Sequence, residues 1–195
     1  MRGASQIIYF ATGNRAKYLE AARIASSFGI NLKHLKLAKR EIQSNRLSEI
    51  ASFAAMQATE QCHCPVVCED AGFFIDALNG FPGPYSSYVY RTLGTAGILK
   101  LMKNVKRRDA SFSAAVAYCQ PGRRPLCFGG TVGGVVSKET RGYRGFGFDP
   151  IFIPRGGDGR TFAEMKTNEK NSYSHRGDAF KRFSKWFASG RRQVK

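Results

Sequence analysis

The chain has 195 residues, 43% of them hydrophobic, with 31 Lys and Arg against 14 Asp and Glu and a formal net charge of +17 at pH 7. That length fits a single domain over residues 1–195 with a sizeable core. No run approaches the ~20 apolar residues of a membrane helix, and no apolar leader segment stands near the first residue. A soluble, cytoplasmic protein is therefore the expectation.

Ile7-Ile8-Tyr9-Phe10-Ala11 is a continuous apolar run, which predicts a strand buried on both faces. Thr12 to Asn14 form a turn, and Asn14 suits a helix N-cap. Tyr18, Ala21, Ala22, Ala25 and Phe28 then recur at helical spacing, and Gly29 stops the helix. This strand, polar turn and helix predict an α/β fold. Leu32 to Ala38 alternates apolar residues with Lys33, His34 and Lys36, as a strand with one wet face does. Glu41 to Asn45 is a polar loop, and the Ala-rich stretch from Ser48 to Gln61 reads as a helix.

Beyond Pro65, Val66-Val67-Cys68 predicts a short buried strand ending at Glu69-Asp70. Gly72, Gly80, Pro82, Gly83 and Pro84 suggest loops around Phe73-Phe74-Ile75. Short helices are expected at Ser86 to Arg91 and Thr95 to Lys103. Ala110 to Cys119 and Leu126 to Val136 read as paired strands joined through Pro121-Gly122-Arg123-Arg124-Pro125. The glycine pairs Gly129-Gly130 and Gly133-Gly134 lack a following helix signal, so bends in a strand are expected rather than a phosphate loop. Ile151-Phe152-Ile153 is a further short strand. Ser174 is a candidate N-cap for a last helix whose Phe180, Phe183 and Phe187 form a core-facing stripe.

Five cysteines, an odd number, argue against a secreted disulfide framework. Cys62-His63-Cys64 with Cys68 has poor spacing for zinc, and buried thiols are the preferred reading. Cys119 and Cys127 could face each other across a hairpin, which leaves a disulfide open there, though it is not the preferred reading. The positive charge is compatible with a phosphate-bearing small substrate or with nucleic acid, and both stay open.

Four segments carry residues suited to chemistry. Thr12-Gly13-Asn14-Arg15-Ala16-Lys17 spans a helix N-terminus, where amides and a lysine attract anions. The segment is neither a Walker A loop nor a dinucleotide fingerprint. Glu41, Glu69 and Asp70 are carboxylates in an acid-poor chain; oxygen donors without supporting histidines suit magnesium or manganese. Gly145-Phe146-Gly147-Phe148-Asp149 has two readings. It is a platform on which a flat base stacks while Asp149 accepts from the base edge, or a glycine-rich turn leading into the core. His175-Arg176 stands at a helix start, within reach of a base carbonyl or phosphates.

Together these motifs resemble the inosine triphosphate pyrophosphatase family over nearly the whole chain. The resemblance is carried by Phe10-Ala11-Thr12-Gly13-Asn14 with Lys17, Glu41-Ile42-Gln43, Glu69-Asp70-Ala71-Gly72-Phe73 and Ala77 to Ser86. It continues through Gly145 to Phe152, Thr161 to Met165, and Lys170 with Ser174-His175-Arg176. It implies an elongated mixed β-sheet flanked by helices, with two lobes, an active-site cleft between them, and a homodimer. It also implies magnesium-dependent hydrolysis of ITP, dITP and XTP to the nucleoside monophosphate and pyrophosphate, removing deaminated purines from the nucleotide pool.

By the resemblance, Thr12, Gly13, Asn14, Arg15, Ala16 and Lys17 cradle the triphosphate. Glu41 and Asp70 hold Mg2+, with Mn2+ as a substitute, and Asp70 activates the attacking water. Lys17, Lys170 and Arg176 balance phosphate charge, and Ala71 contacts substrate. Phe146, Gly147, Phe148, Asp149, His175 and Arg176 enclose and read the purine. Two departures stand out. Ala71 replaces a serine common in the family, and Leu47 to Gln61 lacks the lysine often found after the metal-binding glutamate. Slower turnover or weaker substrate binding is expected from both.

Overall fold

The structure is a computed structural model that describes residues 7–37 and 42–190. Its described strands form a seven-stranded mixed sheet in the order β2-β1-β3-β5-β6-β7, with β4 paired to β3. The strands are β1 (Ile7–Ala11), β2 (Asn31–Leu35), β3 (Val66–Ile75), β4 (Pro82–Gly83), β5 (Asp109–Cys119), β6 (Leu126–Val136) and β7 (Phe152–Pro154). β1 runs parallel to β2 and β3, whereas β3–β4 and β6–β7 are antiparallel. The helices are α1 (Arg15–Ser26), α2 (Leu47–Cys62), α3 (Ser86–Thr92), α4 (Gly94–Leu101), α5 (Thr167–Tyr173) and α6 (His175–Gly190). This is the expected α/β class.

The chain divides into two compact units, and β3, β5 and β6 each contribute residues to both. The first unit is Met1–Asp70, Ala114–Gly130 and Arg176–Lys195. Its local structure follows the sequence closely. The Asn14 side chain caps α1 by accepting from the amides of Ala16 and Lys17. At the other end of α1, Gly29 takes φ +70°, a conformation that costs glycine little, and the Ile30 amide bonds back to the Ala25 carbonyl. Ile8, Phe10, Ala21, Ala25, Ala55, Val66, Val67, Phe180 and Phe183 are fully buried. Phe10 meets Phe180 edge-on at 5.3 Å, and Tyr118 packs on Phe183 at 5.6 Å. The expected aromatic stripe of α6 is thus core, each buried ring contributing about 2–3 kcal/mol.

The second unit is Ala71–Ser113 and Thr131–His175. Its core is an aromatic cluster of Phe73, Phe112, Phe148, Phe152 and Phe162, with Ile98, Met102 and Ile151. Ring centroids lie 4.7 Å apart for Phe73–Phe112 and 5.3 Å for Phe73–Phe148. Arg144 and Glu164 anchor the loops around this core: the Arg144 amide bonds to the Ala163 carbonyl, and Glu164 closes a capping box with Thr161.

Four expectations need correction. Glu69-Asp70 does not end a strand, because β3 continues to Ile75. Gly72 reads as loop punctuation in the sequence, yet it serves a close strand approach: a Cβ there would lie 2.6 Å from the Gly83 carbonyl oxygen. α5 is absent from the sequence reading, since its seven residues bury only Lys170 and Asn171 and show no apolar stripe. The second short helix begins at Gly94 and ends at Leu101 rather than spanning Thr95 to Lys103.

Because the obstacle at Gly72 is backbone, it cannot swing aside. Gly72→Ala is expected to cost about 1–3 kcal/mol by overpacking. A lower urea midpoint at unchanged slope is the signature; an unchanged midpoint would show that β3 and β4 can separate freely.

Candidate active site

In the first unit, β1 delivers the chain into the turn before α1. Thr12 is buried, and its hydroxyl accepts the Asn14 amide at 3.1 Å. Asn14 Oδ1 accepts from Ala16 at 2.9 Å and Lys17 at 3.2 Å. The cap therefore already uses two of the helix N-terminal amides on which an anion could rest. His34 Nε2 pairs with the Thr12 carbonyl at 2.8 Å and stacks on Tyr18, fixing the turn from β2. Gly13 and Arg15 are exposed at the turn.

Beneath this turn lies a buried charge cluster. Lys17 Nζ is 2.8 Å from Glu69 Oε2. Arg176 donates to Glu69 Oε1 at 3.0 Å and to Glu20 Oε2 at 2.5 Å. Glu20, Glu69 and Arg176 are at most 6% exposed. Burial pushes the Glu69 carboxyl upward, but the Arg176 and Lys17 cations outweigh it and hold Glu69 below its ordinary 4.5. Two carboxylates match two cations, so the group stays ionised and neutral overall. Arg176, expected to balance substrate phosphates, is here occupied by Glu20 and Glu69, with its guanidinium 2% exposed. Asp70 follows Glu69 in β3 and is half-buried.

The second unit holds a separate cluster. Gly145 takes φ +77° and Gly147 φ +61°, and a Cβ on Gly145 would run into the Asp149 carboxylate. Only glycine admits this turn. Asp149 Oδ2 accepts the Phe146 amide at 2.8 Å and the Lys170 ammonium at 2.7 Å. Asp149 and Lys170 are each 3% exposed. The ammonium also sits 4.8 Å from the centre of the Phe146 ring, a cation–π contact. Phe146 and Gly147 are half-buried, so a ring stays accessible at the turn. Phe148 is instead a core ring, 2% exposed, stacked on Phe73 and met edge-on by Tyr90. His175 is 3% exposed and stacks on Phe112 at 4.9 Å. Ala71 is half-buried in β3.

The structure thus gathers Thr12, Asn14, Lys17 and Arg176 in one cluster, and Phe146, Gly147, Asp149 and Lys170 in another. Two residues were missed. Glu20 sits three positions after Lys17, next to the apolar residues of α1; a carboxylate on that face needs a buried cation, and this was the available signal. Phe112 gave none, since a phenylalanine in a strand is ordinary core.

For a metal, Glu41 lies outside the described residues. No group of three His, Cys, Asp or Glu side chains converges among the described ones. Glu69 is taken by Lys17 and Arg176, and Asp70, next to it in β3, carries oxygen donors of the kind a hard cation such as Mg2+ or Mn2+ takes. Cys64 Sγ lies 2.7 Å from Cys62 Sγ, and burial together with that neighbouring thiol pushes Cys64 up to about 12. The described cysteines form no disulfide.

Residues 8–186 match the Ham1 family. A protein of Methanopyrus kandleri named dITP/XTP pyrophosphatase is 49% identical over 180 residues, covering 92% of this chain and 95% of that protein. A Hyperthermus butylicus protein of the same name is 46% identical over 182 residues, covering 93% and 95%. The solved structure of a HAM1 protein from Coxiella burnetii superposes with a TM-score of 0.83 at 28% identity, covering 94% of this chain and 99% of that one. A Mycobacterium abscessus structure described as nucleoside-triphosphatase / dITP/XTP pyrophosphatase gives 0.71 at 30% identity, covering 91% and 97%. The chain belongs to the Ham1 family.

Proposed function

We propose that this chain is a pyrophosphatase of deaminated purine nucleoside triphosphates, converting ITP, dITP and XTP with water to the nucleoside monophosphate and pyrophosphate. The observation that carries the reading is the paired Lys17–Glu69–Arg176 cluster beside Asp70, in a chain 49% identical to a protein named dITP/XTP pyrophosphatase. Lys17, the most exposed member of the cluster at 19%, exchanges its carboxylate for a phosphate oxygen. Thr12 to Ala16 position the triphosphate around it. Arg176 holds Glu69 in place rather than meeting solvent-borne phosphate itself.

Asp70 accepts a proton from water, whose oxygen attacks the α-phosphorus; the bond to the bridging oxygen breaks and pyrophosphate leaves with both electrons. Asp70, with Glu41, would hold Mg2+, which when bound supplies positive charge to the reacting phosphates. In the second unit Phe146 is the stacking face. Lys170 and Asp149, a buried pair, hold the turn that presents this ring. Preference for a 6-oxo purine requires a donor facing position 6, against which the 6-amino group of adenine would place another donor and stay unpaired. His175 and Phe148 support this turn from within the core.

The deciding test is pyrophosphate release from ITP, XTP, dITP, GTP and ATP, with and without magnesium. Metal-dependent release from ITP, dITP and XTP well above ATP is expected, and Asp70→Asn should cut turnover by at least about a hundredfold. No release from any triphosphate would sink the assignment. Salt-steep, magnesium-independent nucleic-acid binding in its place would reassign the function.

A pH effect follows from Glu69. Its carboxyl is depressed in the folded chain, so its contribution to stability is complete above the unfolded value near 4.5 and is lost as pH falls through the folded value. Glu69→Gln should be less stable at neutral pH, and the gap to the native chain should narrow below pH 4.5. A constant gap in denaturation from neutral to acid pH would overturn this.

A cytoplasmic homodimer completes the reading. Tyr85, Tyr88, Tyr90 and Leu93 are 43–62% exposed in and beside α3, and a second copy covers such a surface. Light scattering should give twice the chain mass of 21.6 kDa; the mass of a single chain would rule the dimer out.

A further inference from the structure

The proposed reaction does not use the strongest local excess of charge in the second unit. Where α4 ends, the chain reads Lys100-Leu101-Met102-Lys103-Asn104-Val105-Lys106-Arg107-Arg108. It walls an open hollow of about 800 Å³ with Leu99, Lys100, Met102, Lys103, Asn104, Val105, Lys106, Arg108 and, from beyond β6, Lys138. Lys100, Lys103, Lys106 and Lys138 are exposed, and among the described residues no carboxylate lines the hollow. The neighbouring acid Asp109 is already paired with Arg155 at 2.9 Å and Arg107 at 3.5 Å.

The hollow is held in shape by Arg108. Its guanidinium donates to three backbone carbonyls: Val136 and Met102 at 2.8 Å and Ser137 at 2.7 Å. Lys103 follows Met102 directly, and Lys138 follows Ser137. The clamp therefore fixes the backbones that carry the two lysines from opposite elements. Asn104, at φ +63°, reverses the chain between Lys103 and Lys106. The buried Met102 forms an apolar floor. Two lysines near a helix C-terminus already serve the helix dipole, but Lys106 and Lys138 lie outside α4 and have no such task.

We propose that this hollow binds a compact, phosphate-dense anion of the condensed-phosphate class. Lysine ammoniums act as point charges for phosphate, without the planar fork of arginine. No aromatic side chain lines the hollow, so nothing there stacks a base, which disfavours single-stranded nucleic acid. Its volume falls in the range of small-ligand sites rather than of a nucleic-acid groove. The same chemistry has two sources: pyrophosphate, the product of the proposed reaction, and longer inorganic polyphosphate.

The test is calorimetric titration of the full chain, without magnesium and at fixed ionic strength, using pyrophosphate, tripolyphosphate and long-chain polyphosphate as probes. Lys103→Glu with Lys138→Glu should weaken tripolyphosphate binding by about tenfold or more, whereas Lys17→Met should leave a binding event intact. Lys103→Met with Lys138→Met guards against charge-reversal misfolding, with thermal melts as the check. Tighter binding of the long chain identifies polyphosphate as the source; equal binding of pyrophosphate identifies the product. Undiminished binding in both double variants, equal displacement by sulfate at the same ionic strength, or binding of an RNA oligonucleotide with none of tripolyphosphate would each overturn the site. Because the Lys103 and Lys138 variants leave Lys17 and Asp70 untouched, pyrophosphate release from ITP by them reports separately on the proposed reaction.

Discussion

The first unit is organised around one buried guanidinium. Arg176 cannot lose its proton at any physiological pH, and at 2% exposure it cannot reach water. It must have carboxylates, and Glu20 and Glu69 supply them from α1 and β3. Removing either partner would leave a buried charge uncompensated, a loss of about 3–5 kcal/mol. The arrangement therefore constrains three separate chain segments at once. It fixes where α1 lies, which residue of β3 faces inward, and where α6 begins. Lys17 takes its position from Glu69, so the one cation in this group with substantial exposure is placed by a chain of ion pairs rather than by packing.

The second unit solves a similar problem with fewer parts. Lys170 is buried, so Asp149 must sit beside it. Asp149 in turn receives the Phe146 amide, which is why the turn needs glycine at 145. A lysine can shed its charge when desolvated, but a carboxylate at 2.7 Å and two nearby ring faces favour the ammonium. The accessible Phe146 ring and the buried ion pair are thus one construction: the pair sets the turn, and the turn presents the ring.

The strand–turn–helix at the start of the chain was legible because each step has a local cause: an apolar run for β1, an Asn cap, helical periodicity, and glycine at the stop. The core role of Phe180, Phe183 and Phe187 followed from spacing alone. The length of β3 did not, since Gly72 exists to admit Gly83, a residue eleven positions away, and no local signal announces that contact. Motif spacing singled out Lys17, Asp149, Lys170 and Arg176, but not who pairs with whom. Arg176 meets carboxylates more than a hundred positions away, contacts that no local pattern announces. Glu20 escaped notice because a single glutamate on a helix is ordinary until its cation is known.

These pairings bear on where the positive charge of the chain acts. Each buried cation described in the two clusters is matched by a carboxylate, and Asp70 adds a further negative charge next to the first. The polar clusters are therefore not the source of the +17 surplus, and on the proposed reading a triphosphate approaching them would meet no large local excess of positive charge. Attraction over longer distances must come from the exposed lysines and arginines, and it is subject to salt screening with a length of about 8 Å at physiological ionic strength. On that reading, recognition at close range and attraction at long range would fall to different residues. Salt should slow capture of substrate without altering the geometry of the buried pairs, because those pairs are shielded from the ions that screen the surface.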